Sequence, residues 1–315
     1  MNKLAAAALG TIAALAVGYF GVGGWITASI LADTLRVGAP TAQGSGWPAP
    51  QGPADIGYAG DPQAAFGYSF EEVSLQTDLG PAPAWLVPMP AAGQRWAIFI
   101  HGIGGRRENG YRFLPVLHDA GLPTLMPSYR NDEGAPKDPS GLYAFGLTEW
   151  QDLAVGVQYA LDNGASDVLL VAESMGGGIT GQFLRHSPLA SSVAAIVLDA
   201  PALKLSPMVE AAIGSIGLPF PSALTSLGTW ISGMTLPVNF GNADVTDELA
   251  SYAGPLFLSH GHGDRIVPVS GSDALITRRA AVTDYLRTRA DHILSWKEDP
   301  ARYDAALAGF LQSLQ

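Results

Sequence analysis

Residues 168–178, with the sequence VLLVAESMGGG, decide the fold of this chain. An apolar run typical of a buried strand meets Ser174 among small residues, and a glycine-rich segment typical of a helix start follows. This pattern predicts a strand–turn–helix elbow that holds the serine hydroxyl at the edge of a sheet. The usual elbow has glycine two positions on either side of the serine; here these positions are Ala172, which is still small, and Gly176. An ordinary turn in a parallel sheet uses similar residues, so the neighbouring sequence must decide.

A second strand-and-loop pattern precedes the elbow. Residues 96–100, WAIFI, are apolar throughout and lead into HGIGG at 101–105. A glycine-rich loop lets backbone N–H groups point at an oxygen atom on which negative charge develops. We therefore predict an oxyanion hole formed by the N–H groups of Ile103 and Met175, and we place Gly102 among the substrate-binding residues.

Two further strand patterns each end just before a candidate catalytic side chain. Asp264 follows one of them and His292 follows the other. Nucleophile, acid and base thus occur in the order Ser174, Asp264, His292, which differs from the orders in chymotrypsin-like and subtilisin-like proteases. Asp199, in VLDAP at 197–201, also lies at a predicted strand end and is the alternative acid.

From about residue 70 to the C-terminus, the chain resembles the α/β-hydrolase-fold serine hydrolases. The resemblance rests on four motifs: HG at 101–102, the elbow at Ser174, HGxxDxxVP over 260–268, and the loop at His292. Trp296 and the segment DPARY at 299–303 resemble small membrane-associated bacterial hydrolases related to the BEM46-like and serine-aminopeptidase-like branches. The resemblance implies a mostly parallel sheet flanked by helices, and an esterase, lipase, thioesterase or amidase activity.

These residues suffice for acyl transfer without a cofactor, and we predict neither a metal nor an organic cofactor. A serine hydroxyl needs a base in hydrogen-bond contact and a group that orients that base. His292 would take the proton of Ser174, and Asp264 would orient and stabilise the imidazole. His260 and His262 lie close enough to Asp264 in sequence to suggest zinc, but a third ligand is not evident. The resemblance makes His260 structural.

Two other functions fit the same sequence. A peptidase or amidase could use the same triad, although a substrate amine usually requires a carboxylate and the predicted cap offers only Glu210. A non-catalytic binding protein on this fold would be indicated by a missing triad residue, and none is missing.

Composition limits the function further. The chain has 315 residues, of which 48% are hydrophobic and 14% charged, with a formal net charge of −11. This length and apolar content allow one large α/β domain. An acidic chain with few charges argues against a nucleic-acid partner, because phosphate neutralisation needs clustered Lys and Arg. The chain contains no cysteine, which excludes a catalytic thiol and disulfides. The oligomeric state is not indicated.

The N-terminus predicts a membrane anchor over residues 1–36. Residues 4–32 carry no charge, and about 20 apolar residues span a bilayer as a helix. A cleaved signal sequence, with Ala32 at the cleavage site, is the alternative and would give a secreted protein, but its apolar region is usually about 7–15 residues. Lys3 before the apolar run predicts a cytoplasmic N-terminus and an extracytoplasmic catalytic domain.

The rest of the chain divides into two parts. Residues 37–69 are rich in Gly and Pro, with Trp47 and Tyr58 among them, and are predicted to form a linker or collar. In residues 70–315 strand patterns alternate with helical patterns, which predicts a parallel sheet with ligands at the carboxyl ends of its strands. Residues 201–250 interrupt this alternation and are predicted to be a helical cap.

The predicted cap is strongly apolar. Up to residue 243 its only charged residues are Lys204 and Glu210. We predict that Met208, Phe220 and Trp230 line an acyl pocket and exclude water from the oxyanion site. The substrate would then be an apolar or lipid-like ester, drawn from the membrane. The alternative is that these side chains only bury the cap against the core.

Overall fold

The computed structural model of the protein describes residues 3–39, 49–89 and 95–315. In these ranges eight strands form one sheet: β1 Glu71–Thr77, β2 Gly80–Val87, β3 Arg95–Ile100, β4 Thr124–Pro127, β5 Asp167–Glu173, β6 Val193–Asp199, β7 Leu256–Gly261 and β8 Thr283–Thr288. Their order is β1-β2-β4-β3-β5-β6-β7-β8. The β1–β2 and β2–β4 pairs are antiparallel, and all other neighbouring pairs are parallel. The mostly parallel sheet predicted from the sequence is confirmed.

Helices cover both faces of the sheet. The helices of the described ranges are α1 Lys3–Thr34, α2 Pro62–Phe66, α3 Leu114–Asp119, α4 Trp150–Asp162, α5 Met175–His186, α6 Ser206–Ser215, α7 Pro221–Thr235, α8 Thr246–Ser251, α9 Ser270–Arg278, α10 Ser295–Glu298 and α11 Pro300–Ser313. Of these, α1, α6 and α7 pack mainly against one another rather than on the sheet. Alternate residues of β5 enter two separate hydrophobic cores, with Leu170 on the side of α4 and α5 and Val171 on the side of α3 and α11. Burial on both faces explains the continuous apolar runs in the central strands β3 and β5.

One predicted helix is divided in two. The sequence pattern predicts a helix over residues 111–120, whereas the structure has a 3₁₀ turn at Arg107–Arg112 followed by the short helix α3. Pro115 is accommodated in the first turn of α3, where its missing N–H would have had no helical partner. Gly110 closes the 3₁₀ turn against Phe99, because a Cβ at this glycine would lie 2.8 Å from the Phe99 ring.

Part of the predicted collar contacts the domain that contains the sheet. Residues 40–48, including Trp47, lie outside the described residues. Farther on, the Tyr58 ring centroid lies 6.0 Å from that of Tyr111, whose hydroxyl donates to the carbonyl of Gly60 at 2.6 Å. These contacts place residues 58–60 against the domain.

Helix α1 is long and apolar enough to cross a membrane from Ala7 to Thr34. Its C-terminal half also packs against α7 of the predicted cap. The contacts run in the same order along both helices, which makes them parallel: Gly23 faces Leu224, Gly24 faces Leu227, and Thr27 and Ala28 face Gly228. Small residues allow two helix backbones to approach closely. The first helix is therefore part of the folded unit as well as a candidate membrane span.

The contact between α1 and α7 predicts a stability effect at Gly228. A Cβ at this position would lie 2.5 Å from Thr27 Cγ2 and 3.1 Å from the backbone nitrogen of Ala28. We expect Gly228→Val to destabilise the full chain by about 1–3 kcal/mol and to lower the melting temperature by about 2–8 °C, measured by thermal unfolding in detergent micelles. Gly214→Val in α6 is the matched control, since a Cβ there meets nothing within 4 Å. Equal melting temperatures for the two variants would contradict the close helix contact.

Candidate active site

Ser174 occupies a strained turn between β5 and α5. Its backbone has φ 49° and ψ −121°, which is unusual for a residue other than glycine. Backbone hydrogen bonds hold this conformation: the Ser174 N–H donates to the carbonyl of Asp199 at 3.0 Å, and the Ser174 carbonyl accepts from Gly177 at 3.0 Å and from Ala202 at 2.8 Å. The predicted strand–turn–helix elbow is therefore present in the structure.

The His292 imidazole lies between Ser174 and Asp264. Its Nε2 is 2.9 Å from Ser174 Oγ, and its Nδ1 is 2.7 Å from Asp264 Oδ2. These distances fit a serine hydroxyl that donates to Nε2 and an Nδ1–H that donates to the carboxylate. Ser174 is 7% exposed and His292 is 5% exposed, so the reacting groups are shielded from bulk water. The structure thus brings together the three side chains selected from the sequence.

Asp264 is fixed by more than His292. Its Oδ1 accepts hydrogen bonds from the backbone N–H groups of Ile266 and Val267, both at 2.8 Å, and its Oδ2 lies 3.1 Å from His260 Nε2. Burial raises the pKa of this carboxyl, but the hydrogen bonds from His260 and His292 outweigh burial and hold the pKa well below its usual range. Asp264 therefore stays ionised at neutral pH.

The two histidines considered as zinc ligands make other contacts. His260 Nδ1 lies 2.7 Å from the hydroxyl of Ser272, while its Nε2 faces Asp264. His262 Nδ1 lies 2.8 Å from the carbonyl oxygen of Thr288. Across the described ranges, no group of three or more His, Cys, Asp or Glu side chains could hold a metal ion. These contacts make His260 a positioning residue for the Asp264 carboxylate, a role that its place in the sequence only suggested.

Asp199, the alternative acid, belongs to a buried ion cluster. Arg112 donates to Asp199 Oδ2 from Nε at 3.1 Å and from Nη2 at 3.0 Å, and Arg112 also forms a very short contact with Glu173. The hydroxyl of Ser259 donates to the second oxygen of Asp199 at 2.9 Å. Both oxygens of Asp199 are engaged away from His292, so the geometry selects Asp264 as the partner of the imidazole.

The predicted oxyanion donors are Ile103, next to Gly102 in the loop that contacts Ser174, and Met175, which follows Ser174 directly. Among the described contacts, the N–H groups of Ile103 and Met175 donate to no protein acceptor, which leaves them available to a ligand. The oxyanion loop approaches Ser174 closely, since a Cβ at Gly102 would lie 2.8 Å from the Ser174 Cβ. Gly176 is equally constrained, because a Cβ there would lie 2.3 Å from the carbonyl oxygen of Ile100.

Glu173 joins the oxyanion loop to the nucleophile turn. Its Oε1 accepts from the backbone N–H of Gly102 at 3.2 Å and from Asn109 Nδ2 at 2.8 Å, while its Oε2 contacts Arg112. Burial raises the pKa of Glu173, but the charge of Arg112 and these hydrogen bonds outweigh it and lower the pKa. Sequence reasoning did not identify Glu173 or Arg112. A signal was present, because a carboxylate at the end of a buried strand needs a partner.

The predicted pocket residues of the cap do not enclose a cavity together. Met208 is half-buried, whereas Phe220 and Trp230 are 66% and 62% exposed. The Phe220 ring lies 6.0 Å from the ring of Phe20 in α1. The structure differs here from the predicted acyl pocket because the buried face of α7, which includes Leu224, packs against α1 and leaves the aromatic residues outside.

Comparison with solved structures shows the α/β-hydrolase fold. The esterase Pf2001 of Pyrococcus furiosus matches with a TM-score of 0.62 and 19% identity, covering 81% of this chain and 96% of that one. A putative aryl esterase from Burkholderia cenocepacia matches with a TM-score of 0.57, 19% identity and coverages of 78% and 99%. Est1E from Butyrivibrio proteoclasticus, solved with ferulic acid, matches with a TM-score of 0.58, 16% identity and coverages of 77% and 98%.

No protein-family model matches the sequence, and no curated protein sequence matches it. The similarity to the BEM46-like and serine-aminopeptidase-like branches therefore stays a prediction.

The ion cluster predicts a large loss of stability when Arg112 is removed. Arg112→Leu leaves Glu173 and Asp199 buried without their cation, which should destabilise the protein by about 3–5 kcal/mol in denaturant unfolding. Arg278→Leu is the control. Its ion pair with Asp247 lies at the surface, where such a pair contributes about 0–1 kcal/mol.

The effect of Arg112→Leu should also depend on pH. The pKa of Glu173 is lowered in the folded protein, so its stabilising contribution is present above the ordinary glutamate pKa of about 4.3 and is lost as the pH falls. We expect the stability difference between the unmodified protein and the variant to shrink below about pH 4. A difference that stays constant down to pH 3 would contradict this account.

Proposed function

We propose that the protein is a serine hydrolase that cleaves carboxylic esters through an acyl-enzyme. The observation that carries the proposal is the His292 imidazole between Ser174 Oγ at 2.9 Å and Asp264 Oδ2 at 2.7 Å. A nucleophile, a base and a group that orients the base are the parts that serine catalysis requires. The similar solved structures include proteins described as esterases, which supports ester substrates.

The reaction begins with proton transfer from Ser174. As Oγ attacks the ester carbonyl, His292 Nε2 takes the hydroxyl proton, and the C=O π electrons move to the carbonyl oxygen. The tetrahedral intermediate collapses, the C–O bond to the alcohol breaks, and His292 returns the proton to the leaving alkoxide. Water then attacks the acyl-enzyme with His292 as base, which releases the carboxylic acid and restores Ser174.

Two parts of the site lower the barrier. The N–H groups of Ile103 and Met175 donate to the oxygen that becomes negative, and each such donor contributes about 2.7–4 kcal/mol. Met175 is the first residue of α5, so the positive end of the helix dipole faces the same oxygen. Asp264, kept ionised by its low pKa, stabilises the imidazolium that forms on His292.

The proposal includes a retained membrane helix with the catalytic domain outside the cytoplasm. Cleavage at Ala32 would remove the α1 residues that contact α7 and would uncover Leu224, which is fully buried in the structure. Retention therefore fits the packing of the cap. The orientation rests on Lys3 at the start of α1, because positive residues flank the cytoplasmic end of a span.

An activity-based probe tests the nucleophile. The full chain in detergent micelles is treated with a fluorophosphonate, and the adduct is located by mass spectrometry. We expect a single adduct on Ser174, because only a hydroxyl paired with a base reacts rapidly. Ser174→Ala should abolish labelling, and Ser251→Ala, which removes an exposed serine of α8, should not change it. Well-folded protein that stays unlabelled would instead indicate a non-catalytic binding protein.

A series of p-nitrophenyl esters tests the preference for apolar acyl chains. Acetate, butyrate, octanoate and dodecanoate are compared below their micelle-forming concentrations. If the cap binds the acyl chain, kcat/KM should rise by up to about fourfold for each added methylene, since burying one contributes about 0.8 kcal/mol. The matching p-nitroanilides separate an esterase from an amidase. A steady decline beyond acetate would disprove the apolar acyl pocket and leave the esterase proposal intact.

A further inference from the structure

The outer side of the cap carries large exposed apolar side chains, which we call the outer cap surface. In α7 and the turn before it these are Ile216, Phe220, Trp230 and Met234, each between 58% and 66% exposed. On α1, which packs against α7, Trp25 is 60% exposed and Ile26 is 42% exposed. Glu210 is the only charged residue from 205 to 243. Large exposed apolar side chains concentrated on two packed helices indicate a region that another molecule or a membrane covers.

The position of the outer cap surface along α1 is known from direct contacts. The turn of residues 216–220, which we call the cap tip, lies level with Tyr19 and Phe20. The Tyr19 hydroxyl donates to the carbonyl of Pro219 at 2.6 Å, and the ring centroids of Phe20 and Phe220 are 6.0 Å apart. Because α1 and α7 run parallel, the cap tip is the part of the cap nearest the N-terminus of α1.

The length of α1 then fixes the depth of the cap tip. A hydrocarbon core of about 30 Å needs about 20 helical residues at 1.5 Å each. Because Lys3 is charged, the core begins no earlier than Leu4, and a core that begins there ends near Gly23. Residues 19 and 20 therefore lie roughly 5 Å inside the core, and the cap tip lies at the same level. Trp25 falls about 3 Å outside the core, at the interface where tryptophan is enriched.

We propose that the cap tip is inserted in the lipid bilayer beside α1, with the acyl chains of the adjacent leaflet as the occupant that covers Ile216 and Phe220. On the same scale Trp230 and Met234, farther along α7, lie outside the hydrocarbon core. The free part of α1 cannot span the hydrocarbon core alone, because residues 4–18 cover only about 22 Å. If α1 crosses the bilayer, the cap tip must therefore lie within the lipid. The absence of charge at the cap tip fits this environment, since a charged side chain there would be expensive.

The insertion extends the proposed function, and the substrate class inferred from it rests on that function. The cap begins directly beside the nucleophile, where Ala202 donates its N–H to the Ser174 carbonyl at 2.8 Å. A cap inserted at one end and adjoining Ser174 at the other gives esters dissolved in the leaflet a short route to the site. The substrate class that follows is esters of long-chain fatty acids held in the membrane.

Depth-dependent fluorescence quenching tests the insertion without using activity. The chain has no native cysteine, so the single variants Ile216→Cys, Phe220→Cys and Val282→Cys each take one environment-sensitive fluorophore. Val282 is the matched control because it is apolar and 69% exposed, but it precedes β8 at the amino-end edge of the parallel sheet. Each labelled full-length protein is reconstituted in phosphatidylcholine vesicles, and quenching by nitroxide-labelled lipid is compared with quenching by aqueous iodide.

We expect labels at 216 and 220 to be quenched severalfold more by nitroxide lipid than by iodide, and the label at 282 to show the reverse. Iodide quenching at 216 and 220 equal to that at 282 would overturn the proposal. Protection from both quenchers that disappears as the protein is diluted in lipid would also overturn it, because a second copy of the chain would then cover the surface. Since no step requires hydrolysis, a failure of the esterase proposal would not alter this result.

Discussion

The positive φ angle at Ser174 is the constraint on which the site depends. A non-glycine residue in such a conformation costs about 1–3 kcal/mol and persists only where the surrounding structure enforces it. Here β6 accepts the Ser174 N–H, and the start of the cap at Ala202 donates to its carbonyl. The next turn of chain passes so close to β3 that only glycine fits at 176. The same backbone conformation places the Ser174 hydroxyl within hydrogen-bond distance of His292. The turn that joins β5 to α5 therefore also positions the hydroxyl.

The buried cluster around Arg112 also holds the loop at Gly102 against the turn that carries Ser174. Glu173 precedes the nucleophile and binds the backbone of Gly102, while Asp199 accepts from the same arginine at the end of the neighbouring strand. One cation therefore links two strand ends and the loop that carries Ile103. An apolar replacement of the whole cluster could be as stable, as is often found for buried ion pairs. What the charged version adds is a set of directed contacts that join the end of β5, next to Ser174, to the backbone of Gly102.

The sequence predicted those features that depend on strand ends. Strand patterns ending before Ser174, Asp264 and His292 were sufficient, because the carboxyl ends of parallel strands meet at one edge of the sheet. The sequence indicates contacts between distant helices less clearly. Gly23, Gly24, Thr27 and Ala28 place small residues at four-residue spacing on one face of α1, and this face packs against α7 at Gly228. Apolar composition alone did not predict that these two helices pack together. The same pairing decides which face of α7 is buried, and so explains why the aromatic residues expected in a pocket are exposed.

The packing of α1 against the predicted cap connects the candidate membrane span with the site. A flexible tether would leave the cap free to open, whereas α1 packs along α7 and continues through Leu31 and Leu35 into the core beside the sheet. After the helix, Tyr143 donates its N–H to the carbonyl of Leu35 at 2.8 Å. Helix α1, the predicted cap and the domain that contains the sheet are thus joined by packing on both sides of Ala32. Removal of the helix would expose the apolar face of α7 to water, which makes α1 a structural part of the fold.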